Sequence, residues 1–105
     1  MDMVTYNYNY PIELKNEWKK YQSEHFCIAE SHAVINLLNL GLKHIEVPPL
    51  SYNNKELERF TMKFPKGLIE SIDKKMKELG VNTRSKAIHL LIAKGLTVAK
   101  HNEGK

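Results

Sequence analysis

Arg59, Thr61 and Lys63 stand at alternate positions of one short segment, and Thr5, Asn7 and Asn9 do the same in another. A strand turns successive side chains to opposite faces, so each trio would share one face. Such a face can hydrogen-bond to base edges: Arg or Lys pairs with guanine O6 and N7, and Asn pairs bidentately with adenine N6 and N7. A strand face that only meets water has a similar composition, so the pattern alone leaves both uses open. Asn82 and Thr83 are good caps for a helix that follows them. The first N–H groups of that helix lack intrahelical partners and carry the positive end of the dipole, which makes a phosphate oxygen a natural ligand there. His25, Cys27, Glu30 and His32 include metal-capable groups, but their spacing straddles a helix break and matches no common zinc pattern, so no metal site is expected. No Ser/His/Asp arrangement, Gly-rich phosphate loop or telling pair of carboxylates is present; neither an enzyme nor a bound cofactor is expected.

The elements that must position these residues come in two copies. Shifting the chain by 54 residues places 4–42 on 58–96 without a gap: Pro11 meets Pro65, Leu14 meets Leu68, Ser31 meets Ser85, Leu37 meets Leu91 and Gly41 meets Gly95. In the strands, Tyr6, Tyr8 and Tyr10 alternate with the first polar trio, and Phe60, Met62 and Phe64 with the second. The aromatic and apolar side is expected in the core, the tyrosines as core residues rather than platforms for stacked bases. Pro11 and Pro65 close the strands and open helices carrying Leu14, Trp18 and Phe26 in one copy and Leu68, Ile72, Met76 and Leu79 in the other. A second helix follows in each, with Ala33, Val34, Leu37, Leu38, Leu42 and Ile45 up to Val47-Pro48-Pro49, and with Ala87, Ile88, Leu91, Ile92 and Leu96 after the break at Gly80. The division reads as a first motif over 1–46, a linker over 47–57, a second motif over 58–100 and a tail over 101–105. A unit this small can hardly bury its apolar faces alone, so the copies are expected to pack on each other. Ile35 and Leu40 match His89 and Lys94, which would turn them away from the core as candidate contacts between chains.

At 105 residues the chain has room for one modest core and no large catalytic domain. Lys and Arg number 16 against 12 Asp and Glu, a mild positive balance that suits an anionic partner. The single cysteine excludes an internal disulfide framework and, with no apolar run of membrane-spanning length, points to a cytoplasmic protein without a membrane partner.

Strand, proline, helix, then Gly80-Val-Asn-Thr-Arg-Ser-Lys-Ala-Ile88 and a second helix: this order resembles the ribbon-helix-helix family of DNA-binding proteins, which contains the MetJ and Arc repressors. The likeness is good over 58–99 and weaker over 4–45. Two motifs in one polypeptide are similar to the TraY-type accessory proteins of plasmid transfer and the AvtR-type regulators of archaeal viruses. The resemblance implies a mainly α fold with a two-stranded antiparallel β-ribbon, in which two tandem motifs form an intramolecular pseudo-dimer. It implies double-stranded DNA as partner, entry of the ribbon into the major groove and regulation of transcription, most simply as a repressor. Thr5, Asn7, Asn9, Arg59, Thr61 and Lys63 become the base readers, and Thr83, Arg84, Ser85 and Ser31 the phosphate contacts. Glu30 stands where Arg84 stands in the second copy, and would compete for the helix N–H groups and repel phosphate. With the cations Arg59, Lys63 and Arg84 all in the second copy, that half of the site is expected to carry most of the salt dependence. An accessory factor at a plasmid transfer origin, or an interaction module that has lost DNA binding, are the alternatives.

Overall fold

The computed structural model describes residues 2–49 and 56–103. Strand β1 (Met3–Pro11) leads into helices α1 (Ile12–Glu24) and α2 (Glu30–Lys43), and strand β2 (Leu57–Pro65) into helices α3 (Lys66–Leu79) and α4 (Arg84–Glu103). The molecule is mainly helical, and among the described residues β1 and β2 form one antiparallel sheet. Each strand ends on a proline in extended conformation, and the next residue starts a helix. The first helical N–H crosses to the opposite strand's approach: Ile12 donates to the Glu56 carbonyl at 3.1 Å, and Lys66 to the Asp2 carbonyl at 3.0 Å. These otherwise orphaned donors thereby pin both helices to the sheet.

The sheet sets Thr5 opposite Lys63, Asn7 opposite Thr61 and Asn9 opposite Arg59. Asn7 and Thr61 are also equivalent positions of the 54-residue repeat, so repeat and register share one centre. The same exchange occurs where α2 crosses α4. A Cβ on Gly41 would run into the carbonyl of Leu91, and a Cβ on Gly95 into the carbonyl of Leu37. Gly41 is equivalent to Gly95, and Leu37 to Leu91. Here glycine is required because backbone meets backbone.

The core lies between the sheet and the helices. Tyr8, Tyr10 and Phe64 pack with Trp18, the Tyr10 and Trp18 ring centroids 4.6 Å apart, above Leu37, Leu38, Ile72, Ile88, Leu91 and Ile92. Helix α4 is apolar on nearly every side from Leu91 to Ala99 because β1 and all three other helices contact it. Lys94 is buried there, with its ammonium donating to the Val47 carbonyl at 2.7 Å. The Tyr8 hydroxyl is buried without a hydrogen-bond partner among the described residues, and burial raises its pKa.

Several expectations need correction. Phe26 does not extend the stripe of α1; it lies beyond the helix and is 90% exposed, while Tyr21 packs against the core instead. Helix α2 stops at Lys43, before Ile45. Ile35 and Leu40 do not face away from the core: both are partly buried against it, and Ile35 also lines a surface groove. The residues expected as a tail from His101 are helical through Glu103. Most of the expected linker, 50–55, lies outside the described residues. Among those described, no helix is long and apolar enough to cross a membrane.

Candidate nucleic-acid interface

The period-two pattern places its two side-chain sets on opposite faces of the sheet. Tyr8, Tyr10, Met62 and Phe64 are buried, and Tyr6 and Phe60 partly buried against the core. Thr5, Asn7, Asn9, Arg59, Thr61 and Lys63 are all exposed. They form three facing pairs along the ribbon: Thr5 with Lys63, Asn7 with Thr61, and Asn9 with Arg59. Among the described residues, neither Arg59 nor Lys63 has an ion pair or a side-chain hydrogen bond, so their donors are available to an incoming acceptor.

The register also shows how the charge is distributed along the ribbon. Lys63 and Arg59 belong to the same repeat but stand at opposite ends of the ribbon, each beside a neutral residue of β1. On the ribbon the cations therefore line the β2 edge rather than load one end.

Beside the ribbon, α4 begins with Thr83 as its cap: the Thr83 hydroxyl accepts the Lys86 N–H at 3.3 Å, and its carbonyl accepts the Ala87 N–H. Arg84 is committed elsewhere. Its guanidinium donates two bonds to Asp73, at 2.9 and 2.8 Å, and lies 5.0 Å from the centroid of the Tyr6 ring. The bond to Asp73 raises its pKa further, although partial burial opposes this. Ser85 is committed as well. The Asn9 N–H donates to its hydroxyl at 2.7 Å, and the hydroxyl lies 3.3 Å from the Asn9 carbonyl. His89 Nδ1 sits 3.1 Å from that same carbonyl, which requires a proton on Nδ1. Burial lowers the His89 pKa and so favours the neutral ring, with the nearby Lys86 acting in the same direction and the Asn9 bond against it. Ser85 and His89 thus tie the open side of β1 to α4 at the backbone of Asn9.

A groove of about 600 Å³ lies at this junction, lined by Asn9, Thr83, Ser85, Lys86 and His89 together with the apolar Leu57, Val81 and Leu90. The equivalent groove at the start of α2 is lined by Ser31, His32, Ile35, Lys63 and Met3. Lys86 was not singled out by its sequence position. It is exposed in the first turn of α4, one residue past Thr83-Arg84-Ser85, and among the described residues its ammonium has no partner. On α2, Glu30 is held by Trp18, whose indole N–H donates to its carboxylate at 2.7 Å. In both copies the first residue of the second helix is therefore anchored to the first helix, through Glu30 to Trp18 and through Arg84 to Asp73. Among the described residues, no group of three or more His, Cys, Asp and Glu side chains is gathered as a metal site.

In comparisons with known proteins, no family model matches the chain, and no curated protein or solved structure matches it.

Proposed function

We propose that the protein is a sequence-specific double-stranded DNA-binding protein, a transcriptional regulator acting most simply as a repressor, which lays its β-ribbon in the major groove. The single observation that carries this reading is the ribbon face. Six polar side chains of base-reading type project from a two-stranded antiparallel sheet whose opposite face packs, wholly or partly buried, on the core. A two-stranded ribbon fits the major groove, where each base pair presents a distinct pattern of donors and acceptors.

In this reading the chain is an intramolecular pseudo-dimer of two ribbon-helix-helix motifs. Three exchanges between equivalent residues support it: Asn7 facing Thr61, Ile12 to Glu56 mirrored by Lys66 to Asp2, and Gly41 to Leu91 mirrored by Gly95 to Leu37. The ribbon supplies base contacts, and the start of α4 supplies phosphate contacts through its orphan N–H groups and Lys86. Arg84 and Ser85 act one step back, holding α4 to α3 and β1. At the start of α2, Ser31 is the remaining phosphate ligand beside the anchored Glu30.

The test is retention of random-sequence duplex at low salt, measured by fluorescence anisotropy against increasing salt. Binding should weaken linearly on a log–log plot, with a slope of about −0.9 per phosphate contact. The Arg59→Ala and Lys63→Ala proteins should bind more weakly. Failure to retain any duplex would overturn the proposal.

A second reading draws on Phe26 and Ile28, 90% and 96% exposed in the turn between α1 and α2. It makes the chain a protein-interaction module, and capture of a protein partner without duplex retention would favour it.

A further inference from the structure

We infer that one chain reads a non-palindromic element whose two ends are specified unequally, with the tightly read end under Asn9 and Arg59. This rests on the DNA-binding reading above and adds to it which residues set the order of bases. Equivalent strand positions carry different side chains: Thr5 matches Arg59, Asn7 matches Thr61, and Asn9 matches Lys63. A two-fold site needs the same chemistry on both sides of its centre, and here only the position of the centre is shared.

The facing pairs then decide which end reads what. Asn9 lies opposite Arg59, so two planar groups stand side by side, each able to make a bidentate contact, Arg with guanine and Asn with adenine. Thr5 lies opposite Lys63, where an ammonium on a flexible stem and a single hydroxyl discriminate less between bases. Asn9 is also the better-held residue, since its backbone N–H and carbonyl are engaged by Ser85 and His89. From Thr5 to Asn9 the strand covers about 13 Å, the length of roughly four base-pair steps. The element should therefore hold an adjacent adenine and guanine at one end, a central step under Asn7 and Thr61, and a guanine-biased, otherwise loose end.

The experiment is selection of duplexes from a random pool, with one chain per duplex verified by sedimentation. The parent should enrich an asymmetric element with one sharply defined end. Asn9→Ala should reduce discrimination at that end by about 5- to 150-fold and leave the other end unchanged. The variant carrying Thr5→Arg, Asn7→Thr and Asn9→Lys gives both strands the same outward residues and should select a palindrome. A parent that enriches a perfect palindrome at one chain per duplex would overturn the inference and leave the DNA-binding reading standing. A parent that retains no duplex at low salt would overturn both.

Discussion

Gly41 abuts the carbonyl of Leu91 where α2 crosses α4, and the equivalent Gly95 abuts Leu37 in the same way. The two helices meet through backbone at both places, so neither site can relax by turning a side chain. Gly41→Ala and Gly95→Ala should each cost about 3 kcal/mol or more, the upper end of overpacking, because the clash is with fixed peptide atoms. Gly67 has open space around it, and Gly67→Ala should be neutral or stabilising by up to about 1 kcal/mol. Urea melts of the three variants measure the contrast, and equal midpoints for Gly41→Ala and Gly67→Ala would contradict it.

Phe26 occupies the left-handed region at φ 54°, where the second copy has Gly80 at φ 72°. Its ring is almost wholly exposed, so little packing compensates the backbone cost. Phe26→Gly should stabilise the protein by roughly 1 kcal/mol, read as a higher melting temperature. A loss of stability would show that the ring contributes to the fold.

Tyr8 buries its hydroxyl without a partner among the described residues, and the equivalent residue of the second copy is Met62. Tyr8→Phe keeps the rings packed against Tyr10, Trp18, Phe60 and Phe64 while removing the stranded group. Stability should rise by about 1 kcal/mol, the lower part of the desolvation cost of an unpaired buried hydroxyl. A drop of similar size in chemical denaturation would reveal a partner for the hydroxyl.

Much of this architecture was legible because its signals are local or repeated. Alternation along 5–10 and 59–64 gave both faces of the ribbon, and the repeat, Pro11 with Pro65 and Gly41 with Gly95 included, indicated that the copies pack together. What stayed hidden depends on how helices pack. Asp73 reaches Arg84 only because α3 and α4 bring their surfaces together, and no spacing along the chain announces that pair. Ile35 and Leu40 looked outward because their equivalents are His89 and Lys94, yet those two are themselves half-buried and buried, so a polar residue type did not mark an exposed position. The placement of Arg59 and Lys63 at opposite ends follows from their four-residue separation on one strand; what antiparallel pairing adds is their partners, Asn9 and Thr5, which a residue-by-residue comparison of the copies overlooks.

Asp73 restrains Arg84 and sets a carboxylate beside the start of α4. Arg84→Ala should therefore change the salt slope of duplex binding little, whereas Asp73→Ala should free a cation and steepen it by up to about 0.9. The stability cost of Asp73→Ala should stay within about 1 kcal/mol, since both partners are partly exposed. A salt slope unchanged by Asp73→Ala would show that the released guanidinium does not reach phosphate.

His89 has a lowered pKa in the folded protein, so the unfolded chain binds the proton more readily. Its contribution to stability is complete above the unfolded value of about 6.5 and is lost as pH falls below it toward the folded value. Melting temperature should decline between about pH 7 and pH 5, and His89→Gln, which retains a donor for the Asn9 carbonyl, should flatten that decline. An identical pH profile for the two proteins would remove His89 as its source.

The most direct measurement pairs duplex binding with folding for the Arg59→Ala/Lys63→Ala protein. Both side chains are exposed and, among the described residues, make no side-chain hydrogen bond or ion pair, so the melting temperature should match the parent's and stay independent of protein concentration, as for a chain that supplies both strands itself. Affinity for the selected duplex should fall by about 2–6 kcal/mol, the sum of two base contacts of roughly 1–3 kcal/mol each. Equal affinity in the two proteins, at equal stability, would show that the ribbon face does not read DNA.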